Sequence, residues 1–208
     1  MAFTYDPIWK KITPEISKEI IAFWTEENAL PKTEKPEARA QQAIVAMRDE
    51  DGKIAAVCTA VVRVTPRLRQ PLYYYRTFCS PKHRGNHTVQ SMVEEAKKVL
   101  HAYNKDLQPP EAIGVMVELE NNQLVSQYVQ AQHTATNFTF VGYSQREFPI
   151  FVHYFEGFAL QPPAALPKRP MAQGQRQGQG QAPNAPPQRR TEQARGFHQG
   201  GGALGQCG

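Results

Sequence analysis

The stretch Cys79-Ser80-Pro81-Lys82-His83-Arg84-Gly85-Asn86-His87-Thr88-Val89 has the residue types of an anion-binding loop. It joins an apolar, aromatic run to an amphipathic one, so its spacing predicts a strand, a loop and a helix N-terminus. Unpaired amides at such a start converge on one point, and the helix dipole adds positive potential there. Lys82 and Arg84 supply full charges. A phosphate or pyrophosphate is the natural guest. Two other readings of nearby residues are weaker. Cys79, His83 and His87 recur every four positions, as zinc ligands on a helix would, but Pro81 and Gly85 oppose a helix and no fourth ligand is evident. Nor does any oxyanion signature support a Cys79–His nucleophile pair. Tyr73, Tyr74 and Tyr75, with Arg63, Arg67, Arg69 and Arg76 around them, have the composition of a nucleic-acid stacking surface. The plainer reading is one tyrosine face in the core and one packed under a helix.

These residues need elements to position them. Phe3 to Trp9 reads as a first strand. Thr13-Pro14-Glu15 is a helix start, with an N-cap, a Pro at the first helical position and an early acid. Ile16, Ile20, Ile21, Phe23 and Trp24 follow at helical spacing, and Leu30-Pro31 closes that helix. Glu37 to Gln42 suggests a second, short one. Ala43–Arg48, Lys53–Val64 and Leu72–Cys79 read as an antiparallel meander whose first turn ends in Asp51-Gly52. Thr88 to Tyr103 is amphipathic, with Val89, Met92, Val93, Ala96, Val99 and Leu100 on one face. Ala112 to Leu119 reads as a buried strand, and Asn121-Asn122 as the cap of a helical or irregular segment. Thr139–Tyr143 and Phe148–Phe155 are two final strands. Pro149 leaves the last of them open to two readings, a central strand or an edge that pairs with another subunit. The class is α/β, with helices flanking a mixed sheet.

Composition changes at Leu160. Residues 161–208 are mostly Gln, Gly, Pro, Ala and Arg, a low-complexity tail expected to stay disordered because it has little to bury. Truncation at Leu160 should therefore leave the melting temperature unaltered. The tail carries the whole net charge of +5, with six Lys and Arg against Glu192; in residues 1–160 the 18 cations and 18 acids cancel. Such a tail suits weak, salt-sensitive contact with nucleic acid or an acidic partner, or simple solvation. Cys58, Cys79 and Cys207 make an odd count without framework spacing, which points to a reducing, cytoplasmic setting and no structural disulfide. The N-terminus has no secretory pattern and no apolar run is long enough to span a membrane.

Across residues 3–158 the layout resembles the GCN5-related N-acetyltransferases, the GNAT superfamily. Cys79-Ser80-Pro81 matches that family's strand end, and Arg84 to Val89 falls on its Arg/Gln-x-x-Gly-x-Gly/Ala loop, although His87 and Val89 replace small residues. Gly114 to Glu120, followed by Asn121-Asn122, resembles its second cofactor-facing strand, and Gly142-Tyr143 its Gly-Phe step. The resemblance implies a mixed, mostly antiparallel central sheet and acetyl-CoA as cofactor. It implies cofactor contacts from Phe78, Cys79, Arg84, Gly85, Asn86, His87, Thr88, Val89 and Asn122, with the backbone of Phe78 and Cys79 at the acetyl carbonyl. The chemistry implied is direct acyl transfer to an amine of unknown identity. Glu118 and Glu120, which share one strand face, are the candidate bases, and Asn121 can hold a water. Phe138 stands where the family often has the Tyr that protonates the departing thiolate, which leaves Tyr143 as the candidate acid. The alternative is a catalytically silent domain of this fold, a binding or assembly module such as a viral or phage accessory protein, with the tail as its arm. The sequence sets neither an oligomeric state nor a metal site.

Overall fold

The computed structural model describes residues 2–85, 88–120, 125–126 and 129–165. Asn86, His87, Asn121, Asn122 and the chain beyond 165, where the disordered tail was expected, lie outside the described residues. In order, the elements are β1 (Thr4–Pro7), α1 (Pro14–Glu26), α2 (Pro36–Ala40), β2 (Ala43–Arg48), β3 (Ile54–Val64), β4 (Pro71–Cys79), a 3-10 turn (Pro81–His83), α3 (Thr88–Lys105), β5 (Gly114–Glu118), β6 (Gln132–His133), β7 (Phe138–Tyr143) and β8 (Pro149–Tyr154).

Local chemistry explains most boundaries. Thr13 caps α1, its hydroxyl oxygen accepting from the Ile16 amide at 3.3 Å, and Pro14 needs no partner at the first position. At the β2–β3 turn the Asp49 carboxylate accepts from the Asp51 and Lys53 amides, and Gly52 takes the positive φ of +76° that closes the hairpin. Gln161 to Ala164 do not behave as the start of a free tail. Gln70 and Gln161 exchange two bonds of 2.8 Å, and Ala164 bonds through its amide and carbonyl to Arg69 at 3.0 Å. These contacts tie the segment to the β3–β4 turn, so a cut at Leu160 removes bonds that the composition did not lead one to expect.

The eight strands form one sheet in the order β1-β2-β3-β4-β5-β8-β7-β6. Every neighbouring pair is antiparallel except β4–β5, the pair joined by the α3 crossover. The run 148–155 is therefore an interior strand, with β5 on one side and β7 on the other, and Pro149 sits harmlessly at its first position. Gly114 allows β5 to press against β8, because a Cβ there would collide with the His153 carbonyl. Alternation divides the core into layers. Met92, Ala96 and Leu100 of α3 pack on Cys58, Tyr73, Tyr75, Val115 and Phe151. On the opposite face Ile20, Phe23 and Trp24 of α1 cover Ala46, Ile54 and Val57, while Leu72, Tyr74, Ile113, Met116 and Val152 form a third cluster. All three consecutive tyrosines are buried, so they offer no stacking surface.

Candidate active site

The feature that organises the site is a short seam. β4 and β5 pair only at Tyr73↔Val115, Tyr74↔Met116 and Tyr75↔Val117. Beyond it β4 continues to Cys79 along β3, through Cys58↔Thr77, Val57↔Phe78 and Ala56↔Cys79, while β5 follows β8 to Glu118↔Ile150. The two strands part. The Ser80 amide donates to the Ala55 carbonyl at 2.9 Å, which fixes the alternation: Arg76 and Phe78 turn their amides and carbonyls to β3, and Thr77 and Cys79 turn theirs to the open side. Of the two backbone groups expected near an acyl carbonyl, Cys79 thus faces the gap and Phe78 faces β3.

The loop beside this gap is built from its own hydrogen bonds. The His83 amide closes the 3-10 turn on the Ser80 carbonyl at 2.9 Å, and Thr88 bonds back through its amide to Gly85 and through its hydroxyl to His83. Gly85 has a φ of +102° and nothing within 4 Å of a Cβ added there, so the loop is open at that point. Lys82 and Arg84 are exposed, and Val89 is half-buried. The Arg84 Nε donates to the Cys79 carbonyl at 3.1 Å, holding its guanidinium near the end of β4. Ser80, itself buried, donates to Glu27 at 2.7 Å and links the loop to the end of α1. Burial pushes the Cys79 thiol up, opposed by the Arg84 charge, and His83 turns toward Asp49 and Phe3. Cys58 is also free and buried, its thiol pushed up to about 12 by desolvation.

Glu118 and Glu120 come together as their spacing predicts. The Tyr74 hydroxyl donates to Glu118 Oε2 at 3.0 Å and to Glu120 Oε1 at 3.4 Å. Arg146, from the β7–β8 turn, lies 3.1 Å from Glu118 Oε1 and pairs also with Glu120. Burial alone would raise the Glu118 carboxyl, but Ser144, Tyr74 and Arg146 outweigh it and hold it below the usual carboxylate range. Desolvation, then the Glu118 charge, pushes Tyr74 up to about 12, so its hydroxyl keeps the proton it donates. The Glu118 side chain is 9% exposed, whereas Glu120 is 50% and Arg146 56% exposed. Tyr143 is not brought to this group. After the bulge between Phe140 and Gly142 it pairs with Pro149, while Glu118 pairs with Ile150, so the two point to opposite faces; its ring packs edge-on against Phe140 and is 63% exposed. Sequence reading missed Tyr74, Ser144 and Arg146 as site residues. Parity in β4 places Tyr74 on the Glu118 face, but only if β4 and β5 are known to be neighbours.

No family model matches the sequence, and no curated protein does. Solved structures do. The ribosomal-protein-S5-alanine acetyltransferase from Vibrio fischeri is 10% identical, with 76% of this chain and 95% of that one covered and a TM-score of 0.53. A GNAT-family acetyltransferase from Streptococcus pneumoniae is 15% identical over 73% and 96% of the two chains, with a TM-score of 0.47. The yncA protein from Salmonella typhimurium, whose structure holds its cofactor acetyl-CoA, is 13% identical over 80% and 100%, with a TM-score of 0.46. The chain has the fold of the Vibrio fischeri acetyltransferase, the arrangement that the GNAT resemblance of the sequence implies. Within this fold, the loop singled out in the sequence lies between β4 and α3, and Gly142-Tyr143 lies on β7. No helix among the described residues is long and apolar enough to cross a membrane.

Proposed function

We propose that the chain is an acetyl-CoA-dependent N-acetyltransferase. The observation that carries this reading is the parting of β4 and β5 after three residue pairs, directly beside the Pro81–Thr88 loop. The residues present fit the cofactor. The Thr77 amide and carbonyl and the Cys79 amide, on the open side of β4, offer a ladder to an extended amide-bearing arm, while the Cys79 carbonyl is held by Arg84. Lys82, Arg84 and the α3 amides that follow Thr88, with the open Gly85 beside them, suit a diphosphate. The roles of Asn86, His87, Val89 and Asn122 in that contact remain part of the proposal. Acetyl-CoA, when bound, supplies the acetyl group as an activated thioester.

The chain's own residues deal with the acceptor amine. An amine arrives as an ammonium and must lose a proton before its lone pair can attack. Glu118 stays ionised and draws the cation to the seam. Glu120, half-exposed on the same face, takes the proton and returns it to solvent, with Asn121 as the candidate to hold a bridging water. Tyr143 faces away from this pair, so the leaving thiolate takes its proton from water.

The test is thermal stability with and without acetyl-CoA. Cofactor at a hundred times its dissociation constant adds about 2.7 kcal/mol to stability. No shift at saturating concentrations removes the enzyme reading and returns the silent-module alternative. Arg84→Ala weakens binding, and unchanged affinity in that variant places the diphosphate elsewhere. If cofactor binds, Glu120→Gln lowers kcat by about 100-fold or more.

A further inference from the structure

A second cluster of charge lies on the Tyr74 face of the sheet, and the acyl-transfer chemistry above makes no use of it. Arg39 of α2 is only 9% exposed. Its Nε donates to the Thr59 hydroxyl at 3.0 Å and its Nη1 to Glu34 Oε1 at 2.7 Å. Arg76, on the part of β4 that has left β5, donates to the same carboxylate at 3.1 Å and to the Gln42 side chain at 3.0 Å. Its Nε is buried without a hydrogen-bond partner. Glu34 is the one carboxylate within ion-pair distance of either guanidinium among the described residues. Two guanidiniums sharing one carboxylate leave a net positive charge, which partial burial makes costly. Burial holds Arg39 below its usual value, and the Arg76 charge acts in the same direction against the pull of Glu34.

The cluster is not sealed. It opens onto a surface cavity of about 440 Å³ lined by Glu34, Arg39 and Gln42, with Lys35 adding a second cation at the wall; Arg76 does not line it and reaches it only through its bonds to Glu34 and Gln42. It is also continuous with the site already described. The Arg76 guanidinium stands 5.8 Å from the Tyr74 ring, and the hydroxyl of that ring holds Glu118 and Glu120. Tyr74 therefore touches both groups, with Arg63 also 4.0 Å over its ring.

We propose that this cavity receives an anionic group of the acceptor, a carboxylate or a phosphate, that Arg39 and Lys35 on its wall contact the anion, and that Arg76 acts through Glu34, whose charge it offsets. The acceptor then carries an amine at one end, drawn to Glu118 and Glu120, and an oxyanion at the other. Its role as an acceptor rests on the acetyltransferase reading; oxyanion binding by the cavity does not. A guanidinium matches either oxyanion through paired N–H donors, and the Lys35 ammonium adds a point charge.

The experiment titrates the full chain with inorganic phosphate and, separately, with acetate, at ionic strength held constant with chloride, following melting temperature and heat of binding. Saturable binding of at least one anion is expected, and the arm that binds more tightly names the headgroup. Arg76→Gln should weaken it at least about tenfold, and Glu34→Gln, which removes the competing carboxylate, should tighten it about tenfold. The opposite sign of the two variants keeps the test decisive even if one of them folds poorly. No saturable binding by wild type or by Glu34→Gln, or equal binding by Arg76→Gln, overturns the site. The same samples are titrated with acetyl-CoA. A response to acetyl-CoA with none to either anion strikes the anion site alone; a response to anion with none to acetyl-CoA overturns its role in acceptor binding and the enzyme reading together.

Discussion

The β3–β4 junction and the β4–β5 junction share a strand and differ in almost everything else. β3 and β4 pair over nine consecutive residues, from Val64↔Pro71 to Ala56↔Cys79, whereas β4 and β5 pair over three. Along the first junction the β4 backbone groups that face β3 are bonded to it. Along the second those of Thr77 and the Cys79 amide face a gap, with Arg84 of the cationic loop on the Cys79 carbonyl at one end and a pair of carboxylates beyond the other strand. The sheet is thus two well-paired halves joined by a short parallel seam, and the polar side chains gather where pairing stops. A backbone that leaves its own hydrogen bonds unmade at one place can make them with something else there.

That contrast can be broken at several points. The largest effect is expected from Gly114→Ala, at the start of β5. A Cβ there meets the His153 carbonyl and lies 3.0 Å from the Tyr154 Cα, so the strands that define the second half must move apart. A loss of about 3 kcal/mol is expected in chemical denaturation. A neutral result would mean that β5 and β8 can separate freely. Next is truncation after Leu160, compared with truncation after Ala165. The shorter chain loses the Gln161 and Ala164 bonds and strands the buried side chain of Gln70, at a cost of about 1–3 kcal/mol. Equal melting temperatures for the two truncations would show that the segment adds nothing.

The third concerns acid. Glu19 is held below the ordinary carboxylate value by Arg48; Glu34 and Glu118 are raised by burial but brought below it by the arginines and hydroxyls around them. Carboxyls depressed in this way add stability above their unfolded value of about 4.3 and lose it as pH falls through their folded values. Stability should therefore begin to decline below about 6.5, because burial holds the His153 imidazole below its usual value, and decline further below about 5 as the carboxyls protonate, where Glu118→Gln should make the fall shallower. An unchanged acid limb in that variant would deny the Tyr74, Ser144 and Arg146 contacts. The smallest effect is Arg146→Ala. Its guanidinium is more than half exposed, so its ion pairs are screened, and the melting temperature should barely change. A clear drop would mark the β7–β8 turn as part of the core.

Much of this architecture could be read from residues taken locally. Thr13-Pro14 starts α1, Asp51-Gly52 closes the first hairpin, and the α3 stripe from Val89 to Leu100 is where periodicity puts it. What escaped was set by distant partners. β6 is two residues long, Gln132 and His133, too short to show alternation. Phe148 to Phe155 is apolar on both faces, which suits an interior strand or a buried edge equally until its neighbours are known. Gln161-Pro162-Pro163-Ala164 has the composition of a linker, and nothing in that composition announces its bonds to Arg69 and Gln70. The site divides in the same way. Spacing alone joined Glu118 to Glu120, whereas Tyr74, Arg146 and the Glu34–Arg39–Arg76 group depend on which strands lie side by side.

The most direct test of the seam is amide hydrogen exchange, resolved residue by residue, at Thr77 and Cys79 with and without saturating acetyl-CoA. Both amides should exchange quickly in the free protein and become protected when the cofactor is added, while Arg76 and Phe78, bonded to β3, remain protected throughout. Identical exchange at Thr77 and Cys79 in the two samples would contradict the account, because the open edge of β4 would then not be where the cofactor lies.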